Sequence, residues 1–110
     1  PIICFSVKSN SNLTLLRELK KMGSGADVVS MGELLKATKA GINVKKIVFS
    51  GIGKTEEEIK TAIKKRVLLI NIESESEAKL INNISKKKDI IFVDVENTHI
   101  LQQISLVYYN

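Results

Sequence analysis

A lysine at the end of an apolar run is the first residue whose position suggests chemistry. Lys8 directly follows the run Ile2–Val7, which has the composition of a β-strand. In proteins built from parallel strands, the carboxyl ends of the strands carry binding and catalytic groups. An amine placed there can form a Schiff base with a carbonyl compound. The alternative is that Lys8 only opens a loop into solvent.

Two acids and a serine follow the second apolar run. Asp27 lies in a short predicted strand, Ser30 precedes a predicted helix, and Glu33 falls in the first turn of that helix. From the pattern alone, Asp27 is an acid near a strand end. Glu33 is a helix acid stabilised by the dipole, and the Ser30 hydroxyl is a candidate helix cap.

A glycine-rich segment superficially resembles a phosphate-binding loop. It reads Gly51-x-Gly53-Lys54-Thr55, but the Walker spacing requires a further glycine where this chain has Val48. The segment therefore does not predict an NTPase. The glycines are expected to allow a tight turn and Thr55 to cap the next helix, while a minor role of Lys54 at a site entrance stays open.

The chain has one cysteine and one histidine, Cys4 and His99. An internal disulfide is excluded, and so are metal sites that need two cysteines or two histidines, so we expect no metal. We interpret Cys4 as a small residue on an interior-facing strand face rather than a nucleophile, because no triad-like partner is visible. His99 is expected at the surface.

Composition indicates one globular domain that neither spans membranes nor binds nucleic acid. Of the 110 residues, 44% are apolar and 26% charged, and no run approaches the roughly 18 apolar residues that cross a bilayer. The net charge is +5, but glutamates interrupt the lysines and aromatic residues are only 5%. We expect a cytoplasmic protein. Because the chain starts at Pro1, we also expect it to be part of a longer protein.

The periodicity alternates between strand and helix patterns. The predicted helices are Asn12–Met22 capped by Asn12 or Ser11, Gly32–Ala40, Glu56–Lys65 capped by Thr55, and a helix from Ser74 to about Lys86. The predicted strands are Ile2–Val7, Ala26–Val29, Ile47–Phe49, Val67–Ile72 and Ile90–Val95.

Strands that alternate with helices of this length predict an α/β fold with parallel strands, as an open doubly wound sheet or a (β/α) barrel. The rhythm does not choose between them. In the first strand, alternation places Cys4, Ser6 and Lys8 on one face. The apolar set Ile3, Phe5 and Val7 is expected to meet the helices.

Four segments carry a resemblance to a known family. Phe5–Asn10 reads FSVKSN and resembles an aromatic-Ala/Ser-Val-Lys-Ala/Ser-Asn signature. Gly23–Ser30 with Gly32–Leu34, Lys46–Thr55 with Glu57–Ile59, and Asn71–Ser74 follow in the family's order. The chain thereby resembles the pyridoxal-phosphate decarboxylases with an alanine-racemase-like barrel. The segment Phe49–Thr55 is most similar to the diaminopimelate decarboxylase branch.

This resemblance implies a fold, a cofactor and site residues. Residues 1–95 would form part of a (β/α)8 barrel of the TIM type, with about four to five βα units, and residues 96–110 a divergent tail. Lys8 would be catalytic and would hold pyridoxal 5'-phosphate as an aldimine, with Asp27, Glu33 and Ser30 beside it. The reaction implied is decarboxylation of meso-diaminopimelate to L-lysine, and full-length relatives are expected to be homodimers.

The chain also departs from this family. The strand Ile91–Val95 lacks the arginine that family members place there. A full barrel needs about 250 residues, so we expect at most half a barrel and little or no activity from this chain alone. Two alternatives stay open, a non-catalytic remnant and a relative that acts on ornithine or arginine.

Overall fold

The computed structural model describes residues 3–8, 12–85 and 92–95. Within them, five strands alternate with four α-helices. The strands are β1 (Cys4–Ser6), β2 (Gly25–Val28), β3 (Ile47–Phe49), β4 (Leu69–Ile72) and β5 (Phe92–Val95). The helices are α1 (Leu13–Lys21), α2 (Met31–Lys39), α3 (Glu56–Lys65) and α4 (Glu75–Ser85), and a single 3-10 turn, Val44–Lys46, precedes β3.

The strands form one parallel sheet in the order of the sequence, β1-β2-β3-β4-β5. Ser6 lies beside Asp27, and Asp27 lies beside Val48. A doubly wound sheet reverses its strand order at a switch point, whereas a barrel adds each new strand on the same side. The sequential order therefore favours the barrel arrangement, and the predicted partial barrel is confirmed.

Alternate strand residues face two different environments. The buried set belongs to the hydrophobic core beneath the helices and comprises Ala26, Val28, Ile47, Phe49, Ile70 and Ile72. The residues between them are only half-buried, as Asp27, Val48 and Asn71 show. One face of the sheet is thus covered by helices. We call the opposite face the open face.

Strand β1 follows the predicted alternation except at its start. Val7 is fully buried and Phe5 packs against the core, while Ser6 and Lys8 are exposed. Ile3 was expected to meet the helices, and this prediction is wrong because its side chain is 80% exposed. The residue precedes the first residue of β1, so strand geometry does not hold its side chain against the core. It lines an open depression of about 250 Å³ beside Met22.

Element boundaries agree with the sequence where local signals are strong. Strand β3 and helix α3 have the predicted bounds, and the Thr55 hydroxyl forms a capping box with Glu58. Strand β4 begins later than predicted, at Leu69. The preceding residues close α3 instead, because the Val67 N–H donates to the Ala62 carbonyl and Arg66 adopts a left-handed conformation with φ 60°.

Several predictions concern residues outside the described ranges. They are the tail 96–110 with His99, the start of the fifth strand at residues 90–91, the helix end near Lys86, and residues Ser9 and Asn10 of the lysine segment.

A glycine allows the first three strands to approach closely at their amino ends. A Cβ built on Gly25 would overlap the carbonyl oxygen of Lys46 and lie 2.9 Å from the Cys4 sulfur. The missing side chain leaves room for the Cys4 thiol to reach the Lys46 carbonyl oxygen at 3.6 Å. Any side chain at position 25 would have to displace backbone, which a packed sheet resists.

We expect Gly25→Ala to lower the free energy of unfolding by about 1 to 3 kcal/mol, because the added methyl group meets backbone. The matched control is Gly32→Ala on α2, where a Cβ would make only an ordinary contact of 3.9 Å with the Ser30 hydroxyl and where alanine favours the helix by up to about 1 kcal/mol. Urea unfolding of the two variants measures both effects. Equal stability of the two variants would contradict the close approach at Gly25.

Candidate functional site

The position of Lys8 is determined by the carboxyl end of β1. Its backbone lies in a turn directly after the strand, and its side chain is exposed. The Val7 N–H donates to the Asp27 carbonyl at 3.1 Å, which holds this end of β1 against β2. Within the described part of the chain, no salt bridge or side-chain hydrogen bond includes Lys8. The amine is therefore available to an incoming group.

Asp27 lies on the open face of β2, in register with Ser6. Its Oδ1 atom is buried, and no hydrogen-bond donor of the described structure reaches it. A buried oxygen of this kind is costly to leave unsatisfied. A ligand or a lysine that brings an N–H to this atom would remove the cost.

Ser30 and Glu33 together form the start of α2. The Ser30 hydroxyl accepts the Glu33 N–H at 3.2 Å and acts as the N-cap. The Glu33 Oε1 atom accepts the Val29 N–H at 3.1 Å. Both side chains thus serve the local fold, as the sequence pattern indicates, and both stand at the carboxyl edge of the sheet.

The structure brings the four predicted site residues to one edge of the sheet without joining them directly. Lys8 follows β1, Asp27 lies in β2, and Ser30 and Glu33 begin the helix after β2. No salt bridge within the described residues joins Lys8 to either acid. Their roles toward a cofactor stay predictions.

The pKa of the Cys4 thiol depends on its burial and on the charge of Asp27. Burial raises the pKa of its thiol above the ordinary value of 9.0, and the negative charge of Asp27 raises this pKa further. The second effect requires the thiol and the carboxylate to share one side of the sheet, as the strand alternation predicts. Cys4 is thereby kept in its unreactive thiol form.

Two further polar side chains extend the site along the open face. Ser50 follows β3, and Asn71 lies in β4 and donates from Nδ2 to the Ser50 hydroxyl at 3.0 Å. Both are half-buried. Asn71 is paired in the strand register with Asp94 of β5. These positions bring hydrogen-bonding groups from later strands to the edge that carries Lys8.

Behind this face, the structure contains an ion pair that the sequence did not reveal. Lys54 and Glu77 form a salt bridge of 3.2 Å, with only 2% and 4% of their side chains exposed. The Lys54 ammonium also donates to the Gly51 carbonyl at 2.7 Å and to the Asn71 carbonyl. Lys54 is therefore buried, and the alternative that places it at a site entrance is wrong.

A repeated Ser/Thr-x-x-Glu pattern is the signal that could have revealed this network. It occurs at Ser30–Glu33, Thr55–Glu58 and Ser74–Glu77, each time at a helix start. In each case the hydroxyl accepts the glutamate N–H. The carboxylates of the second and third glutamates also bind the preceding loop, through the N–H groups of Met31 and Lys54 at 3.0 Å.

Among the described residues, no three histidine, cysteine or acidic side chains lie together in a way that suits a metal ion. No helix in this part of the chain has the length and apolar character needed to cross a membrane.

Comparison with known families shows to which family this chain belongs. The sequence model described as "Pyridoxal-dependent decarboxylase, pyridoxal binding domain" matches residues 2–105. The chain belongs to the pyridoxal-dependent decarboxylase family. These enzymes are carbon–carbon lyases, and the predicted family and pyridoxal cofactor class are confirmed.

Two curated relatives in this decarboxylase family show which branch is most similar in sequence. A diaminopimelate decarboxylase of Helicobacter pylori strain J99 is 49% identical over 89 residues, or 81% of this chain. A diaminopimelate decarboxylase of Campylobacter jejuni is 47% identical over 88 residues. The chain spans only 22% of the length of each of these relatives.

Solved structures of the decarboxylase family agree with both fold and branch. Diaminopimelate decarboxylase from M. jannaschii in complex with L-lysine matches with a TM-score of 0.81 and 42% identity, covering 86% of this chain and 22% of that one. An ornithine decarboxylase from Entamoeba histolytica matches with a TM-score of 0.79 and covers 94% of this chain and 32% of that one. Its identity is only 21%, so it shows the shared fold alone.

The residues on the open face fit a pyridoxal cofactor. Among the described residues, Lys8 supplies an amine without a protein partner, and Asp27 supplies a buried oxygen without a donor. The Ser50 and Asn71 side chains add hydrogen-bonding groups on the same face. An aldehyde that carries polar ring substituents would therefore find a covalent anchor and hydrogen-bonding partners here.

The influence of Asp27 on Cys4 gives a test of the open face. We expect iodoacetamide to alkylate Cys4 with a pH midpoint above 9.0. Asp27→Asn should lower this midpoint, because removal of the carboxylate charge favours the thiolate. The shift should be partial, since burial is the larger cause.

Glu56→Gln is the matched control for this experiment, because it also removes one carboxylate, but from an exposed position on α3. It should leave the midpoint unchanged. Mass spectrometry of the alkylated chain at several pH values measures the rate at the single cysteine. An unchanged midpoint in Asp27→Asn would contradict the shared face.

Proposed function

We propose that this chain forms the lysine-bearing part of the pyridoxal-binding domain of a meso-diaminopimelate decarboxylase. The observation that carries the proposal is the amine of Lys8 at the carboxyl edge of the face that carries the Asp27 Oδ1 atom. Neither group has a partner in the part of the chain that the structure describes. Identity of 42–48% to solved diaminopimelate decarboxylases supports the substrate class.

In this proposal the Lys8 amine is the group that would hold pyridoxal 5'-phosphate covalently. The bound ring would supply a sink for the electron pair that decarboxylation leaves on the substrate carbon. Asp27 accepts a hydrogen bond at Oδ1 and orients the Lys8 amine. Glu33 and Ser30 fix the start of α2 and thereby the wall beside Asp27.

The assignment extends to the whole protein through its relatives. Residues 1–95 belong to the pyridoxal-binding barrel, and residues 96–110 form a divergent tail. The whole enzyme produces L-lysine in the cytoplasm and acts as a homodimer, as the family resemblance implies. We infer that the 110-residue chain by itself has little or no decarboxylase activity, because its described residues form five strands, whereas a closed barrel has eight.

A segment exchange tests this function. Residues 3–85 replace the matching segment of the Helicobacter pylori diaminopimelate decarboxylase, to which this chain is similar. We expect the chimera to release carbon dioxide from meso-diaminopimelate. Lys8→Ala in the chimera should lower the rate by more than about a hundredfold, because both the covalent anchor and a proton-transferring amine are lost.

The control for this exchange is Lys64→Ala, which removes an exposed lysine on α3. It should leave the rate unchanged. A folded chimera that releases carbon dioxide from ornithine or arginine but not from meso-diaminopimelate would contradict the substrate. Full activity of the Lys8→Ala chimera would contradict the role of Lys8.

A further inference from the structure

The buried pair Lys54 and Glu77 has an arrangement that simple stabilisation does not require. The Lys54 ammonium has three protons, and it donates to the Gly51 carbonyl, the Asn71 carbonyl and Glu77 Oε1. Glu77 Oε1 also accepts the Glu73 N–H at 3.0 Å, and Oε2 accepts the Lys54 N–H at 3.0 Å. Every strong donor and acceptor of the pair is therefore used.

Such a pair is a poor way to gain stability. Removing two charges from water costs as much as their attraction returns, and apolar residues of equal volume are often as stable. An apolar pair could not, however, hold backbone groups at four places along the chain. The distinguishing property of this pair is that it fixes the loop after β3 to the end of β4.

The fixed segments carry the polar side chains of the open face. The Asn71 carbonyl accepts a hydrogen bond from the Lys54 ammonium, and the Asn71 side-chain Nδ2 donates to the Ser50 hydroxyl. Ser50 is held in turn, since its N–H donates to the Val28 carbonyl at 2.8 Å. Within the described structure, Asn71 Oδ1 makes no hydrogen bond and is not among the buried unsatisfied atoms. This oxygen is thus not fully enclosed by the described residues.

We propose that Lys54 and Glu77 are positioning residues that hold the Asn71–Ser50 pair in place as a wall of the cofactor site. This inference rests on the proposed function for the identity of the ligand. The positioning itself depends only on the contacts described above. Asn71 touches the ligand in this proposal, whereas Lys54 and Glu77 act through Asn71.

The deciding variant is the double substitution Lys54→Met with Glu77→Gln. It removes both buried charges, so neither is left unpaired, and the glutamine keeps an oxygen for the helix cap. Lys54→Met alone leaves a buried carboxylate without its cation and is expected to lower the urea midpoint strongly. The double variant should recover most of that loss.

The matched control is Lys60→Met with Glu56→Gln, which applies the same substitutions to an exposed pair at 3.0 Å on α3. The first readout is the NMR signal pair of the Asn71 side-chain amide in the 110-residue chain without ligand. Slow rotation about the amide C–N bond keeps the two proton signals separate in every variant, so the informative quantity is the position of the signal of the proton bonded to Ser50. We expect this signal to lie downfield of the ordinary asparagine position in the wild type and the control, and to return to the ordinary position in the deciding variant.

The second readout is the affinity for pyridoxal 5'-phosphate, measured by absorbance titration of the same proteins. We expect Asn71→Ala and the deciding variant to bind roughly tenfold more weakly than the wild type, as for the loss of one hydrogen bond. The control should bind as the wild type does.

The outcomes separate this inference from the proposed function. A deciding variant that keeps the wild-type amide signals would overturn the positioning role, and so would unchanged affinity in both it and Asn71→Ala. If the wild type shows no saturable binding, the proposed function fails at this chain, and the amide signals alone decide whether Lys54 and Glu77 hold Asn71. If Lys54 and Glu77 served only stability, the double variant would recover the lost stability. Neither the Asn71 amide signals nor the affinity for pyridoxal 5'-phosphate would then change.

Discussion

The carboxylates of Glu58 and Glu77 each bind backbone N–H groups from two consecutive βα units, near the point where the strand leads into the helix, and these bonds hold the carboxyl edge of the sheet. The Glu58 carboxylate accepts hydrogen bonds from the N–H groups of Thr55 and Met31. The Glu77 carboxylate accepts hydrogen bonds from the N–H groups of Glu73 and Lys54. A parallel sheet fixes where strands end, but it does not fix the loops that follow them. These carboxylates supply that constraint, and the candidate site stands on the loops they hold.

One-sided coverage of the sheet explains why polar chemistry collects on the open face. The helices bury the apolar half of strands β1 to β4, so Ala26 and Val28 face the core while Asp27 between them does not. The same period of two brings Ser50 and Asn71 to the face that carries Asp27. Hydrogen-bonding groups can therefore gather there without disturbing the packed core. A cofactor that needs an amine and several polar contacts finds them within one continuous surface.

The sequence was sufficient for features that depend on local patterns. Strand β3 and helix α3 have unambiguous periodicity and caps, and their bounds were predicted without error. The choice of barrel over doubly wound sheet needed the family resemblance, because the rhythm of elements is the same in both folds. Ile3 was placed wrongly because alternation says nothing about where a strand begins.

The residues of the candidate site also differ in whether local sequence patterns predict them. Lys8 could be proposed because a lysine at a strand end is visible in the sequence and its surrounding segment resembles a known signature. The burial of Lys54 could not be read, since its partners come from Gly51, Asn71 and Glu77, up to 23 residues away. Long-range partners of a charged side chain follow from the packing of separate βα units. In the sequence, only the repeated Ser/Thr-x-x-Glu pattern indicated these long-range partners.

The most direct test of the central claim is to find which lysine pyridoxal 5'-phosphate modifies. The 110-residue chain is incubated with a limiting amount of the aldehyde, reduced with borohydride and mapped by mass spectrometry. Lys45 and Lys64 serve as exposed internal references. The account predicts that Lys8 is labelled first and that Asp27→Asn removes its advantage. Labelling of Lys8 no faster than the two references would contradict it.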